Sequence, residues 1–225
     1  MEKQDRKRFC AGLGWLTAFV LWTAAIQRID IQPIGPQGSC VGFAALNRWV
    51  HDLTGVHMSL YTVTDWLGLI PLGAAAGFAL LGLIQWIGRR NLRKVDRSLL
   101  VLGGFYLVVM AVYLFFEEYT VNYRPVLIEG VLEASYPSST TVLVLCVMPT
   151  AVMQFNSRIR NRAIRRWLAT AIAAFVVFMV AGRVVSGVHW VTDVIGGLLL
   201  SGGLVTMYAF LVHKESKTSK TPRKS

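Results

Sequence analysis

The chain has 225 residues, of which 54% are apolar and 16% charged, and its net charge at pH 7 is +11. Soluble domains average about 45–50% apolar and about 25% charged residues, and the apolar residues of this chain gather into long uncharged runs. This pattern excludes an ordinary soluble domain, and with it a basic nucleic-acid-binding surface on such a domain. The sequence therefore predicts an integral membrane protein.

Six uncharged runs predict an all-α bundle of six transmembrane helices, because a helix needs roughly 20 mostly apolar residues to cross a bilayer. The runs cover residues 9–26, 66–88, 98–116, 138–155, 167–182 and 194–212. The fifth run is the shortest, and we expect its helix to extend into both flanks. The prediction is one membrane domain over residues 1–213, followed by a disordered basic tail over residues 214–225.

Lysine and arginine residues cluster in the N-terminal tail, near residues 89–97 and 158–166, and in the C-terminal tail. If six spans alternate in direction, all four clusters lie on one side, and the positive-inside rule makes that side the cytoplasm. We expect a multi-pass protein of a bacterial plasma membrane with both termini cytoplasmic. The three cysteines lie far apart in the sequence and predict no disulfide or metal site. The sequence leaves the oligomeric state open.

The longest connection, residues 27–65, follows the first span. Its pattern becomes helical from Val41, with Phe43, Leu46 and Trp49 on one face and polar residues such as Asn47 on the other. This pattern predicts a short amphipathic helix near residues 41–54 on the outer membrane interface. Such a helix could also cover or gate a site.

The connection before the sixth span contains Arg183, His189 and Asp193. If the sixth helix begins near Gly187, His189 and Asp193 share one face, four residues apart. The carboxylate would then fix the imidazole tautomer and leave the other ring nitrogen as a nucleophile. Arg183 can hold phosphate oxygens. A single histidine is more often packed than functional, but ionisable groups that gather at the edge of a membrane bundle are usually functional.

The connection between the third and fourth spans adds Arg124-Pro125 and then Pro137-Ser138-Ser139-Thr140. The second group begins the fourth predicted helix, where free backbone N–H groups and the helix dipole favour an anion. Simple N-capping by the serines is the alternative interpretation.

These residues, in this order and spacing, resemble the type-2 phosphatidic acid phosphatase superfamily, in its membrane lipid phosphatase branch. The signature of that family is Lys with six residues to Arg-Pro, then Pro-Ser-Gly-His, then Ser-Arg with five residues to His and three more to Asp. The resemblance covers residues 117–197 and implies phosphoester hydrolysis at the outer face without a metal or other cofactor. It implies a phosphohistidine at His189, which Asp193 orients. By the same resemblance, the phosphate-binding residues are Arg124, Arg183, Ser138, Ser139 and Thr140. The implied partner is a membrane lipid phosphate or isoprenoid diphosphate.

Four positions depart from the signature. Gly182 and Ser139 replace a serine and a glycine, which are small changes. Thr140 replaces the histidine that protonates the leaving group, and losing a general acid typically costs about 10²–10⁴-fold in rate. Glu117 replaces the lysine, and a carboxylate about 4 Å from a phosphate charge repels it by roughly 4 kcal/mol at an effective dielectric near 20. One alternative is therefore a catalytically silent member that binds or moves anionic lipids. A lipid phosphotransferase is a lesser alternative.

We hypothesise that Glu117, in protonated form, donates the proton that the missing histidine cannot, with Glu118 as the adjacent candidate. When a diphosphate lipid is hydrolysed, the leaving group is a lipid monophosphate. This group is a weaker base than an alkoxide, so it needs less protonation. The sequence thus favours an isoprenoid diphosphate over phosphatidic acid as the substrate.

Overall fold

The structure is a computed structural model that describes residues 3–218, with side chains to residue 213. Its helices are α1 (Lys3–Ile26), α2 (Ala44–Thr54), α3 (Met58–Leu67), α4 (Leu69–Arg89), α5 (Arg97–Glu118), α6 (Ser139–Arg158), α7 (Arg162–Val185) and α8 (Val191–Thr218). Short 3-10 turns lie at Pro36–Gly38 and Leu92–Lys94. Helix α8 thus continues into the predicted tail, and residues 219–225 of that tail lie outside the described part of the chain.

Six segments of the described chain are long and apolar enough to cross a membrane, with α3 and α4 together forming the second. The predicted all-α, six-span fold is confirmed. The fifth span, α7, extends beyond its apolar run at both ends, as expected, and the Asn161 side chain accepts hydrogen bonds from the backbone N–H groups of Ala163 and Ile164 at its start.

The predicted start of the second span, at residue 66, is wrong, because the helical segment already begins at Met58. Helix α3 carries polar residues that interrupt the apolar run, including Thr64 and Asp65. A break at Gly68 separates α3 from α4. Pro71 follows at the third position of α4 and has no N–H to bond the carbonyl four residues earlier, which explains the interruption.

Helices α1 and α8 pack closely along their length through small residues. A Cβ atom at Gly203 would lie 2.6 Å from Leu16 Cδ2, and one at Gly12 would lie 2.7 Å from Met207 Sδ. A side chain at either position would displace Met207 or Leu16, so glycine allows the close approach that is typical of helix pairs in membranes. The first and last spans therefore hold each other in register.

Contacts between helix ends show which connections lie at the same end of the bundle. At one end, His213 Nδ1 lies 3.0 Å from Asp5 Oδ1, and Arg158 pairs with Asp96. At the other end, Trp22 Nε1 donates to the carbonyl of Thr192 at 3.1 Å. The basic connections at residues 89–97 and 158–162 thus share the end of Asp5 and His213. Which end faces the cytoplasm stays a prediction from the charge pattern.

The amphipathic helix predicted near residues 41–54 is present as α2, which begins at Ala44. Two of its large apolar residues point away from the protein, with Trp49 65% and Leu53 73% exposed, whereas Phe43 just before the helix stacks on Trp22. Asn47, on the predicted polar face, is buried, and its amide donates to the carbonyl of Gly42 at 2.8 Å and to Thr192 Oγ1 at 3.0 Å. One polar anchor thus fixes α2 on α8 and leaves its apolar face free.

Candidate active site

The polar residues of interest lie at the end of the bundle opposite the basic connections, where the α7–α8 connection meets the α5–α6 connection. Gly187 lies two residues after the end of α7 and has a positive φ of 67°, a conformation that favours glycine. Its Cα faces the carbonyl oxygen of Gly55, and a Cβ atom there would overlap that oxygen. This tight turn carries the next residues of the connection, including His189, into the protein.

His189 is almost completely buried, with 1% of its side chain exposed. Arg124 Nη1 lies 3.2 Å from its Nε2, and Ser135 Oγ lies 3.1 Å from its Nδ1. A guanidinium can only donate hydrogen bonds, so Nε2 is the unprotonated nitrogen and Nδ1 carries the proton. Burial lowers the pKa of His189 well below its usual value of 6.5, and the charges of Arg124 and Arg183 lower it further. The imidazole is therefore neutral, with its Nε2 lone pair directed at Arg124.

Asp193 does not contact His189 in the way predicted from sequence. Helix α8 begins at Val191 rather than near Gly187, so His189 precedes the helix and the two residues do not share a helical face. Asp193 Oδ2 lies 4.0 Å from His189 Nδ1. The hydroxyl of Ser135 lies between them and donates to Oδ2 at 2.5 Å. The other partners of the carboxylate are the Asn122 amide at 3.1 Å and the Trp190 backbone N–H at 3.0 Å.

The two arginines meet around an aromatic ring of α3. The guanidinium carbon of Arg183 lies 5.1 Å, and that of Arg124 6.0 Å, from the centre of the Tyr61 ring. Each arginine also has a carboxylate partner: Arg183 Nη2 lies 3.2 Å from Asp65 Oδ1, and Arg124 Nε lies 3.0 Å from Glu133 Oε2. The carboxylates of Asp65 and Glu133 thus partly neutralise the two guanidinium groups of this site.

The start of α6 provides hydroxyl groups beside the arginines. Arg183 Nη2 donates to the Thr140 hydroxyl, at the position where the signature has histidine. Ser138 precedes α6, its Oγ accepts from Thr141 Oγ1 at 2.9 Å, and its backbone N–H donates to the carbonyl of Asp193 at 3.2 Å. This N–H is therefore already occupied, whereas Ser139 lines the neighbouring cavity.

A cavity of about 390 Å³ extends from the site between α4, α5 and α6. Glu117, Thr140 and His189 all line it, so these three predicted residues share one space. Its walls are otherwise mostly apolar, with Leu72 and Ala75 from α4 and Val147 from α6 among them. The cavity has the polarity of an amphiphile, with a polar end at His189 and an apolar body between the helices.

Sequence reasoning missed the residues that hold the named groups. Ser135, Asn122 and Glu133 belong to the same connection as Arg124, but no spacing rule marks them. Tyr61 and Asp65 lie more than 100 residues from Arg183 in the chain and reach it only through packing of α3 against α7. The one available signal is that Asp65 adjoins an apolar run. In the described part of the chain, no three or more metal-binding side chains form a group.

Residues 113–217 match the family model described as the PAP2 superfamily. The match covers a little under half of the chain. The predicted family is thereby confirmed, and the PAP2 segment contains Arg124, Thr140, Arg183, His189 and Asp193.

The whole chain resembles a solved structure described as the first transmembrane PAP2 type phosphatidylglycerolphosphate phosphatase from Bacillus subtilis. The TM-score is 0.56 and the sequence identity 18%, over 96% of this chain and 99% of that one. At this identity the likeness shows the fold, which is that of a transmembrane PAP2 protein. No curated protein sequence matches the chain. The superfamily and the fold support a phosphatase-type hydrolase in general.

Proposed function

We propose that this PAP2 protein hydrolyses a membrane lipid phosphate or isoprenoid diphosphate at the outer membrane face, through a phosphohistidine at His189. The observation that carries the proposal is the unprotonated Nε2 of a buried imidazole beside Arg124 Nη1. A lone pair held next to a cationic hydrogen-bond donor can attack a phosphorus atom whose oxygens that donor binds.

In the first step, Nε2 of His189 forms a bond to phosphorus, and the bond between phosphorus and the leaving oxygen breaks. The electron pair stays on that oxygen, which takes a proton from an acid. Arg124 and Arg183 stabilise the charge on the phosphoryl oxygens. The Nη1 hydrogen bond that Arg124 now makes to Nε2 passes to a phosphate oxygen when substrate binds.

In the second step, water attacks the phosphorus of the phosphohistidine. The nitrogen–phosphorus bond breaks, its electron pair returns to Nε2, and the proton of the water passes to the group that acted as acid. Inorganic phosphate leaves, so the overall reaction consumes one water molecule and needs no cofactor.

We assign the acid to Glu117. The Thr140 hydroxyl stands where the superfamily has histidine, but it accepts a hydrogen bond from Arg183 and is a poor acid. Glu117 lines the same cavity as His189. A carboxylic acid there is neutral while the phosphate binds, becomes a carboxylate when it protonates the leaving oxygen, and regains its proton from water in the second step.

The shape and lining of the cavity support a lipid substrate. Its apolar body lies between membrane-spanning helices, where the tail of a lipid can enter while its headgroup reaches His189. An isoprenoid diphosphate suits the altered site best, because its leaving group is an isoprenoid monophosphate, which depends less on protonation by a general acid.

A catalytically silent protein that binds or moves anionic lipids is the second candidate. It is favoured by Thr140 in place of the general acid. The carboxylates of Asp65 and Glu133, which already pair with the arginines, compete with any bound anion and so do not distinguish the two candidates.

Phosphate release from the purified full chain in detergent, without divalent metal, tests the proposal. The substrates are an isoprenoid diphosphate, its monophosphate and phosphatidic acid. We expect release by the wild type and by His57→Ala, which changes an exposed histidine outside the site, and none by His189→Ala. If none of the three lipids releases phosphate, the silent protein is the correct reading, and equal release by His189→Ala would exclude the phosphohistidine.

A further inference from the structure

The contact between imidazole and carboxylate in this site passes through a third side chain. Ser135 Oγ lies 3.1 Å from His189 Nδ1 and 2.5 Å from Asp193 Oδ2. His189 Nδ1 and Asp193 Oδ2 themselves are 4.0 Å apart. The last distance is too long for a hydrogen bond. We propose that Ser135 is a positioning residue that transmits the orienting effect of Asp193 to the nucleophilic imidazole. The proposal rests on the proposed function only for its kinetic consequence.

The side-chain donors and acceptors of this group point to one arrangement, and the backbone of Ser135 is a further hydrogen-bond partner of His189. Arg124 can only donate, so Nε2 accepts and Nδ1 carries the proton. The Nδ1 proton is then donated to Ser135 Oγ, and the Ser135 hydroxyl proton is donated to Asp193. Ser135 and Arg124 therefore hold the imidazole from its two sides in the tautomer whose Nε2 carries the lone pair.

The backbone holds Ser135 firmly at this point. Its N–H donates to the carbonyl of Asn122 at 2.9 Å, and the N–H of Arg124 donates to the carbonyl of Glu133 at 3.0 Å. The Asn122 side chain donates to the second carboxylate oxygen of Asp193 at 3.1 Å. The same short pairing of two strand-like segments thus places the serine, the carboxylate and the arginine that faces Nε2.

The arrangement has a chemical consequence when Nε2 bonds to phosphorus. The imidazole ring then gains positive charge, and the hydrogen bond from Nδ1 to Ser135 becomes charge-assisted, which makes it about twice as strong as a neutral one. No proton transfer is needed between His189, Ser135 and Asp193 in this step. Ser135 therefore contributes more to the charged intermediate than to the bound substrate, and its loss should lower kcat more than it raises KM.

The first experiment compares Ser135→Ala with Ser135→Thr, which keeps a hydroxyl group. Ser201→Ala is the matched control, a buried serine eight residues beyond Asp193 on α8, or about 12 Å along the helix. We expect Ser135→Ala to lower kcat about 10- to 100-fold, the loss of one buried hydrogen-bond partner, with KM changed less than about threefold. Ser135→Thr should recover most of kcat, and Ser201→Ala should leave it unchanged. Full activity of a folded Ser135→Ala protein would overturn the proposal.

A double-mutant cycle tests whether the serine acts through Asp193. When Asp193→Asn has removed the carboxylate charge, we expect Ser135→Ala to cost less than about threefold more, because coupled groups are not additive. Losses that multiply fully in the double variant would show that Ser135 acts independently of Asp193, which would overturn the proposal.

Nitrogen-15 NMR of the four histidines reads the tautomer without any turnover. We expect the signal that His189→Ala removes to show the Nδ1–H tautomer in the wild type, and Ser135→Ala to shift it toward a mixture of tautomers. An unchanged His189 signal in Ser135→Ala would contradict the proposal even if the protein hydrolyses nothing. Conversely, a shifted signal in a chain without phosphatase activity would retain the positioning role and reject only the proposed hydrolysis.

Discussion

Glu117 is the acidic side chain that lines the cavity together with His189 and Thr140, and it decides which leaving groups the site can expel. We predict that Glu117→Gln lowers kcat for a lipid monophosphate by about 10²–10⁴-fold, the usual contribution of a general acid. The loss for a diphosphate substrate should be much smaller, because its leaving group is a weak base. Turnover of both lipids is measured in detergent, with Glu118→Gln as the control. Full monophosphate turnover by Glu117→Gln would remove Glu117 from the mechanism.

The buried environment of His189 makes a prediction about pH. Protonation of Nε2 removes the lone pair that attacks phosphorus, so activity falls as the pH falls through the pKa of the folded protein. Burial lowers that pKa well below 6.5, and kcat/KM should therefore be retained at pH 6.5 and lost only at clearly lower pH. A profile of kcat/KM from about pH 4.5 to about pH 8 measures this acidic limb. A midpoint at or above the usual histidine value would mean that the imidazole is not buried beside the two arginines.

At the residue scale, the sequence was most informative where spacing encodes a signature. The intervals that join Arg183, His189 and Asp193 predicted residues that the structure brings to one site. The same intervals could not reveal Ser135, because a hydroxyl that bridges two groups has no fixed spacing to either. The predicted direct contact failed because α8 begins at Val191, so helical periodicity does not apply to His189.

At the element scale, α4, α5 and α6 form the cavity, and filling it should affect lipid substrates alone. Ala75 on α4 lines this space. We predict that Ala75→Phe lowers kcat/KM for a long-chain lipid phosphate at least about tenfold, because the ring occupies volume that the tail needs. Hydrolysis of a short, water-soluble phosphate ester should change little. Equal losses for both substrates would show that the substitution damages the catalytic residues rather than the tail site.

Ala76→Phe is the matched control for this prediction. Ala76 is the next residue of α4, is exposed and faces away from the cavity. We expect it to retain wild-type kinetics with both substrates, so that any effect of Ala75→Phe can be ascribed to the cavity and not to an added aromatic ring on α4.

The elements themselves were predictable to different degrees. Long apolar runs identified the six spans, because a membrane leaves few alternatives to a helix. The predicted second span was too short because Thr64 and Asp65 interrupt the apolar run. Both residues lie on α3 and face Arg183. Helix α2 was recognised by its periodicity, but the inward position of Asn47 depends on Thr192 and is set by tertiary packing.

At the scale of the whole molecule, charge and chemistry lie at opposite ends. The basic connections lie at the end of the molecule where Asp5 meets His213. His189 lies at the opposite end, on the same side as α2. The positive-inside rule predicts that the basic end faces the cytoplasm. The proposed site would then open toward the outer leaflet, so that its lipid substrate and its phosphate product are both found outside the cell.

Labelling with a membrane-impermeant maleimide in intact cells tests this orientation. Cys40 is exposed and lies in the connection between α1 and α2, at the end of the site. In a Cys10→Ser background, we predict that Cys40 reacts in intact cells, because the charge pattern places it outside. Arg93→Cys, in a chain that also lacks Cys40, should react only after the membrane is permeabilised, since residue 93 lies in a basic connection. The reverse pattern would place the proposed hydrolysis in the cytoplasm, and the chain would then act on lipids of the inner leaflet.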